Sequence, residues 1–241
     1  MARSDIKENL YTRTEMMLGE SGVEKLKRAR VIVFGVGGVG SWCAEALARC
    51  GVGKITVVDG DVISETNKNR QIIALSSTEG LEKAKICAER LKDINPDCQV
   101  TSINLFYSAE TKDEIDLAEY DYIADCIDTV TSKLLLIATA KELNKPIISS
   151  MGTGNRLDPS KITVTDIFKT SGDPLARIMR KELRARSVES LKVVCSNEEP
   201  GQCCEGRNEI TGRATPSSAC FVPATAGLRM AYEIVRELLY V

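Results

Sequence analysis

Residues 30–40 read RVIVFGVGGVG, a short apolar run followed by a cluster of glycines. The run at residues 31–34 suits a buried strand of a parallel sheet, because such strands are apolar on both faces. The glycines suit a tight turn into a helix: Gly35 permits the turn, Gly37 lets the backbone approach a phosphate, and Gly40 lets helix and strand pack closely. Amides at the helix start would face the phosphate, aided by the helix dipole. The stretch therefore predicts a nucleotide site.

A second strand and an acidic residue follow this turn. Residues 39–49 are amphipathic, Gly51 stands where a helix C-cap is expected, and residues 54–58 form the next apolar run. Asp59 ends that run, where a carboxylate can accept hydrogen bonds from ribose hydroxyl groups. Nicotinamide-dependent dehydrogenases use the same glycines and carboxylate, so this pattern predicts a bound nucleotide without choosing the reaction.

The composition limits the chemistry. The chain has 241 residues, enough for one good α/β core, and its formal net charge is −2. It contains no histidine, which excludes histidine triads, imidazole acid–base catalysis and histidine metal ligands. It has no run of about twenty apolar residues, and residues 1–10 are polar, so we expect a cytoplasmic protein without a membrane span.

Strand-like and helix-like segments alternate through residues 29–150. Further helices are predicted at residues 79–94, 108–117 and 131–143, and further strands at residues 98–103, 122–126 and 146–150. The alternation predicts an α/β fold with a Rossmann-like, doubly wound and mainly parallel sheet, which binds ligands at the carboxyl ends of its strands. A helical arm at residues 1–28 is predicted to precede the sheet.

The pattern changes in residues 151–241. Residues 162–167 alternate as an antiparallel strand does. The elements predicted after it are a helix at 175–186 opened by Asp173-Pro174, a short strand at 193–194 and a helix at 222–239. Residues 196–218 are polar and contain several Gly and Pro residues, which predicts a mobile loop. We expect residues 1–241 to form one domain in which the parallel sheet continues into antiparallel strands.

Three charged residues could act on the phosphates of a nucleotide. Asp128 follows the predicted strand beside the glycine turn and could hold Mg²⁺ against phosphate oxygens; it could also cap the helix that follows. Arg70 offers a planar fork for bidentate phosphate contact, and Lys83 offers a point charge at a helix start. Taken singly, either cation would more often be a solvated surface residue.

Together these residues resemble the ubiquitin-activating-type adenylating enzymes. The resemblance is carried by the glycine turn, Asp59, residues 67–71 (NKNRQ), Lys83 and the Asp125-x-x-Asp128 pair. It implies ATP as the cofactor, Mg²⁺ on Asp128, and attack by a carboxylate on the α-phosphate to give an acyl-adenylate and pyrophosphate. The residues implied to bind ATP are Gly35, Gly37, Gly38, Gly40, Asp59, Asn67, Arg70, Gln71 and Lys83.

The resemblance also implies a homodimer. Arg13 matches an arginine that many bacterial relatives insert into the site of the partner subunit. The residues implied to act in catalysis are Arg13, Arg70, Lys83 and Asp128. Residues 151–241 would then hold both the substrate and the dimer contacts.

Motifs in the second half resemble one branch of this superfamily, the tRNA threonylcarbamoyladenosine dehydratases. They include residues 151–154 (MGTG), 170–177 (TSGDPLAR) and 180–183 (RKEL). These enzymes adenylate the threonine carboxylate of N6-threonylcarbamoyladenosine at tRNA position 37 and cyclise it, so proximity replaces an external nucleophile. The residues implied to face the substrate or the tRNA are Gly152, Thr153, Gly154, Arg156, Arg177, Arg180, Lys181 and Arg184. A solvated amphipathic helix is the alternative for the last four.

The cysteines weigh against another branch, which adenylates the C-terminal glycine of a ubiquitin-like sulfur carrier. Its members usually hold zinc between two C-x-x-C pairs, and none of the nine cysteines forms such a pair, so we expect no zinc. That branch remains an alternative, as do a nicotinamide-dependent dehydrogenase and a non-catalytic nucleotide-binding scaffold. A sulfur-transfer partner protein is also left open. We expect Cys203, Cys204 and Cys220 to be incidental or redox-sensitive rather than a required thiol.

Overall fold

A computed structural model describes residues 8–201 and 216–240, and seven strands within these ranges form one sheet. The strands are β1 (Arg30–Phe34), β2 (Lys54–Val58), β3 (Gln99–Ile103), β4 (Tyr122–Asp125), β5 (Ile147–Ser150), β6 (Ile162–Asp166) and β7 (Lys192–Ser196). Their order across the sheet is β3-β2-β1-β4-β5-β7-β6. All neighbouring strands run parallel except β6 and β7, which run antiparallel. The predicted fold, a mainly parallel sheet that continues into antiparallel strands, is confirmed.

Helices cover both faces of this sheet. They are α1 (Thr12–Leu18), α2 (Glu20–Arg28), α3 (Gly40–Cys50), α4 (Lys83–Ile94), α5 (Val130–Glu142), α6 (Pro174–Ala185) and α7 (Phe221–Tyr240). Val31 and Val33 of β1 join a hydrophobic cluster with α2, α3, α4 and α7, whereas Ile32 and Phe34 join a second cluster with α5 and α6. All four side chains are fully buried, which explains why β1 is apolar at every one of these positions. No helix in the described ranges is long and apolar enough to span a membrane.

The predicted helix at residues 108–117 is wrong. The structure has two short 3-10 turns there, Lys112–Glu114 and Leu117–Glu119. The hydroxyl group of Thr111 donates a hydrogen bond to the carbonyl oxygen of Phe106 at 2.7 Å. Local bonds of this kind satisfy backbone groups without a regular helix.

Two helix starts also differ from the sequence expectation. The helix predicted from residue 79 begins at Lys83, because the segment before it pairs with another part of the chain: the amide of Ile63 donates to the carbonyl of Leu81 at 2.8 Å. Asp128 does not cap α5. Thr129 occupies the N-cap position, and no side chain makes a capping hydrogen bond there.

The antiparallel region is larger than predicted. The strand expected at residues 193–194 extends over Lys192–Ser196 and lies between β5 and β6. Ser196 therefore belongs to a strand rather than to the predicted mobile loop at 196–218, and residues 202–215 of that loop lie outside the described residues, as do Cys203 and Cys204. Residues 1–7 of the predicted N-terminal arm also lie outside the described part.

The position of α7 depends on a close crossing with α3. A Cβ atom added at Gly227 would lie 2.3 Å from the carbonyl oxygen of Val39 and 2.9 Å from the Cβ of Trp42. The two helices therefore meet backbone to backbone, next to the turn that precedes α3.

Gly227→Ala should destabilise the protein by about 1–3 kcal/mol, because the methyl group must push α7 away from α3. The higher helix propensity of alanine opposes this by only about 1 kcal/mol. The midpoint of urea unfolding measures the change. The neighbouring control Leu228→Ala, at a position that is 49% exposed on the same helix, should change the midpoint much less. Equal midpoints for the Gly227→Ala variant and the unmodified chain would contradict the close crossing.

Candidate nucleotide-binding site

A cavity of about 560 Å³ lies at the carboxyl ends of β1, β2, β4 and β5. The strand ends and the loops that follow them form its wall, as expected for a doubly wound sheet. The cavity brings together twelve of the residues that the sequence nominated: Gly35, Gly37, Gly38, Asp59, Asn67, Arg70, Gln71, Lys83, Asp128, Gly152, Thr153 and Gly154.

The turn after β1 is shaped by its glycines. Gly35 has φ +79°, and a Cβ atom there would lie 2.8 Å from the carbonyl oxygen of Cys126. A Cβ atom at Gly40 would lie 1.8 Å from the carbonyl oxygen of Gly35. Only glycine fits at either position, and Gly40 does not line the cavity. It instead lets α3 start directly against the turn, so that residues 37–39 of the turn lie at the cavity wall.

Asp59 holds this turn in place. Its carboxylate accepts a hydrogen bond from the amide of Val36 at 2.8 Å and a second from the amide of Asp61 at 2.9 Å. Burial raises the pKa of Asp59, while these two amides and the charge of Lys83 favour the ionised form. The carboxylate thus joins the end of β2 to the glycine turn and also borders the cavity.

Arg70 lies over the glycine turn. A Cβ atom at Gly38 would be 3.3 Å from the Arg70 side chain, and the guanidinium group donates to the carbonyl of Thr66 at 3.1 Å and to Asn69 Oδ1 at 2.9 Å. Burial lowers the pKa of Arg70, and the negative charge of Asp128 opposes that shift. Both side chains line the same cavity and present opposite charges to it.

Lys83 is the second cation of the cavity. Its ammonium nitrogen lies 2.7 Å from Asp61 Oδ2, and the residue is 7% exposed. Nearby, the side-chain oxygen of Asn67 accepts the amide of Ser64 and so stabilises its own turn. Gln71 is buried, and its side-chain oxygen makes no hydrogen bond within the described residues. The segment therefore offers both charged and neutral polar groups to a ligand.

A buried ion pair supports the loop that carries Asp128. The ammonium group of Lys133 lies 2.9 Å from Asp125 Oδ2 and donates to the carbonyl of Ile127 at 3.0 Å, and both charged side chains are fully buried. The hydroxyl of Ser149 donates to the same carboxylate oxygen at 2.6 Å. Asp128 itself is exposed at the cavity. A single carboxylate of this kind fits Mg²⁺, which takes its remaining ligands from phosphates and water.

Several residues that line the cavity were not predicted from the sequence. They include Leu105, Phe106, Tyr107, Thr129, Ser132, Leu175, Pro216, Ser218 and Pro223. Residues 105–107 follow β3, so the rule that ligands bind at strand ends could have identified them. Pro216, Ser218 and Pro223 reach the cavity from the far end of the chain, and no local pattern predicts that approach.

Arg13 does not line its own cavity. It is exposed on α1, whose N-terminal neighbour Tyr11 packs against Gly51 and donates to Asn95 Oδ1 at 2.9 Å. Gly51 and Asn95 follow the C-terminal ends of α3 and α4, whereas the cavity lies at the start of both helices. The structure therefore places Arg13 toward the opposite edge of the sheet from its own cavity.

The remaining nominated residues also lie outside the cavity lining. Arg177, Arg180 and Lys181 line a separate groove on α6, and the Arg184 guanidinium stacks over the Phe168 ring at 5.1 Å. Arg156 is buried behind the loop at residues 152–154. Leu175, in the first turn of α6, does line the cavity, so this helix connects the groove with the cavity. Cys220 is half-buried and free.

Comparison with known proteins adds the family. Residues 11–235 match the model of the ThiF family. The chain is 40% identical over 239 residues to the tRNA threonylcarbamoyladenosine dehydratase of Bacillus subtilis, which covers 95% of this chain and 94% of that protein. It is 41% identical over 182 residues to the Escherichia coli dehydratase, covering 76% and 68%. The crystal structure of the E. coli dehydratase in complex with AMP matches with a TM-score of 0.88 at 34% identity, covering 100% of this chain and 98% of that one.

Asp59→Asn should speed amide hydrogen exchange at Val36 and Asp61 by about 10-fold, because charge-assisted bonds that hold the turn are weakened. Exchange measured by NMR reports each amide separately. Asp121→Asn is a matched control, since Asp121 Oδ2 accepts the amide of Arg30 at 2.8 Å at the other end of β1. It should affect Arg30 and leave Val36 unchanged. Faster exchange at Val36 in both variants would show a general loosening and contradict this role of Asp59.

Proposed function

The chain belongs to the ThiF family, and on that premise we propose that it catalyses the ATP-dependent dehydration of N6-threonylcarbamoyladenosine at tRNA position 37. One observation carries the proposal: a single cavity gathers the glycine turn, two cations and an exposed carboxylate in a chain that is 40% identical to a dehydratase over 95% of its length. Dehydratases match across both halves of the chain, so the sulfur-carrier alternative is not favoured.

The reaction has two steps. In the first, an oxygen of the threonine carboxylate forms a bond with the α-phosphorus of ATP, and the bond from that phosphorus to pyrophosphate breaks. In the second, a nucleophilic atom of the threonylcarbamoyl group attacks the activated acyl carbon and loses its proton to solvent, and AMP leaves with the carboxylate oxygen. The nucleoside has then lost one water and gained a hydantoin- or oxazolone-type ring. Because the nucleophile is already attached, proximity supplies much of the rate enhancement.

The protein contributes chiefly binding and charge to these steps. The glycine turn and the first amides of α3 would bind phosphate, with Asp59 at the ribose and Asn67 and Gln71 along the triphosphate. Arg70 and Lys83 would neutralise negative charge as pyrophosphate leaves.

Asp128 would hold Mg²⁺, which supplies further charge neutralisation when it is bound. Its exposed carboxylate lies at the cavity on a loop that Lys133 fixes from behind. Arg70 and Asp128 line the same cavity, so these two groups would act on the same phosphate chain.

The substrate end of the cavity would be formed by Gly152, Thr153 and Gly154, beside the start of α6. Arg177, Arg180 and Lys181 line the groove on α6, and Arg184 lies one turn further along the helix, beside the Phe168 ring. These cations would bind tRNA phosphates in a salt-dependent manner. We propose that tRNA lies along α6 with its modified base directed into the cavity, in a protein of the cytoplasm.

A homodimer is part of the proposal. Arg13 is exposed and distant from its own cavity, so it would reach the cavity of a partner subunit. The proposal treats residues 1–241 as one adenylating domain, with a helical arm at 1–28, a nucleotide-binding half at 29–150 and a substrate and dimer half at 151–241. The two reaction steps use no atom from a sulfur-transfer protein.

The central experiment incubates tRNA carrying N6-threonylcarbamoyladenosine with the protein, ATP and Mg²⁺. Mass spectrometry of the nucleosides should show the loss of one water, together with release of AMP and pyrophosphate. The Lys83→Met variant should form product at least about 100-fold more slowly, because one charge on the departing phosphate is lost. A mass unchanged in the presence of ATP, when the E. coli dehydratase converts the same tRNA, would overturn the proposed function.

Arg13→Ala should lower turnover while leaving ATP affinity within about twofold, because the residue would act from the partner subunit on the transition state. Mixing Arg13→Ala with Asp128→Ala subunits should restore activity toward about a quarter of wild type, since one cavity in half of the dimers is then intact on statistical grounds. Turnover by the mixture is measured after subunit exchange. Mixtures no more active than either variant alone would show that Arg13 does not act across the interface.

A further inference from the structure

Arg156 is buried behind the wall of the cavity. Its side chain is 2% exposed, and its polar atoms contact the protein itself. Nη1 donates to the carbonyl oxygen of Gly152 at 2.7 Å and to that of Gly154 at 3.3 Å, and Nε donates to the carbonyl of Glu198 at 3.0 Å. One guanidinium group therefore joins the loop at residues 152–154 to the segment that follows β7.

Asp173 is the ionic partner of Arg156. Asp173 Oδ2 lies 3.4 Å from Arg156 Nη2, and neither atom has a hydrogen bond within the described residues. The other carboxylate oxygen accepts the amide of Ala176 at 2.9 Å and so caps α6. A buried charge left without its partner is strongly unfavourable, so the two side chains hold each other in place.

Gly152 packs directly against this pair. A Cβ atom added there would lie 3.3 Å from both carboxylate oxygens of Asp173 and 3.4 Å from Arg156 Nη1. Gly152 also lines the cavity. The backbone of the loop is therefore enclosed between the ion pair on one side and the cavity on the other.

From this geometry we propose that Arg156 and Asp173 are a positioning pair for the substrate end of the cavity. The pair fixes the 152–154 loop to the first turn of α6, the helix whose Leu175 lines the same cavity. Arg156 thus acts through the loop backbone and does not contact the substrate. This inference rests on the proposed function, because the group positioned by the loop would be the threonylcarbamoyl chain of the tRNA.

Loss of the ion pair should affect turnover of the modified tRNA and binding of ATP differently. Within the described residues, no hydrogen bond or ion pair joins Arg156 or Asp173 to the glycine turn, Asp59, Arg70 or Lys83, so nucleotide binding should not depend on the pair. A shift of about 1 Å in the loop would misalign the carboxylate with the α-phosphate, and misplacement of that size can cost about 100-fold in rate. Loss of the pair should therefore lower kcat/KM for modified tRNA and leave the dissociation constant of ATP nearly unchanged.

The test compares three variants of the full-length protein. Arg156→Met removes the fork and the charge at similar volume, and should lower kcat/KM for modified tRNA by at least about 10-fold, with ATP affinity within about twofold. Arg156→Lys keeps the charge but cannot make three carbonyl contacts in the same plane, and should be intermediate. Gly152→Ala keeps both charges and places a methyl group against them, and should reproduce the Arg156→Met pattern.

Arg90→Met is the matched control. Arg90 pairs with the buried Glu45 at 2.6 Å, between α4 and α3 and away from the cavity lining. It should lower stability without a selective loss in kcat/KM for tRNA. Amide exchange in a peptide covering residues 150–157 supplies a readout that does not depend on activity, and it should be faster in Arg156→Met than in Arg90→Met.

Wild-type kcat/KM and unchanged exchange in Arg156→Met would overturn the positioning role. A parallel loss of ATP affinity, or an equal selective loss in Arg90→Met, would overturn it as well, since either marks a general destabilisation. If Arg156→Met does not fold, Arg156→Lys and Gly152→Ala decide by the same criteria. Failure of the proposed function would give a different result from failure of the positioning role. The wild-type protein would then not dehydrate the modified tRNA, whereas amide exchange would still report on the 152–154 loop.

Discussion

The contact between the start of α3 and the turn after β1 is the constraint on which the site depends. A side chain at Gly40 would overlap the carbonyl oxygen of Gly35, at a Cβ distance of 1.8 Å. Because this approach is so close, residues 37–39 of the turn lie at the cavity, next to the end of the central strand. The same turn is adjacent to α7, whose Gly227 meets the carbonyl of Val39. The packing of the C-terminal helix and the shape of the cavity beside the glycine turn are therefore coupled.

Buried or half-buried carboxylates fix the loops around the cavity. Asp59 accepts two amides and fixes the glycine turn, Asp125 with Lys133 supports the loop before α5, and Asp173 caps α6. A parallel sheet supplies no hydrogen bonds beyond its strand ends, so each loop needs another source of order. Ionised carboxylates that accept amide hydrogens provide stronger bonds than neutral groups do. Asp128 is a contrast, because it is exposed and keeps its carboxylate at the cavity.

The sequence predicted the lining residues near the glycine turn better than those near the C-terminus, and the reason is physical. The glycine turn, Asp59, Arg70 and Lys83 all fall within residues 35–83, and all of these segments line the cavity. Spacing is informative there, because a strand and a turn fix the relative positions of neighbouring residues. Pro216, Ser218 and Pro223 reach the cavity through long-range packing of α7, which leaves no local pattern. The helix predicted at 108–117 failed for a related reason, since side-chain bonds such as that of Thr111 replaced helical ones.

Arg156 is a single side chain whose role the sequence alone could not predict. Its position after a strand end and beside two glycines is compatible with substrate contact, and the positive charge of arginine also favours that prediction. In the structure, three backbone carbonyl groups and one carboxylate surround the guanidinium group of Arg156. Its hydrogen-bond donors are therefore directed at the protein itself and not at the cavity. A cyclisation whose nucleophile belongs to the substrate needs no histidine or thiol from the enzyme, but it does need the reacting chain held in one arrangement. With the 152–154 loop as the proposed substrate wall, its accurate placement would be a requirement of the chemistry itself, and an internal ion pair would meet it without adding a charge to the cavity.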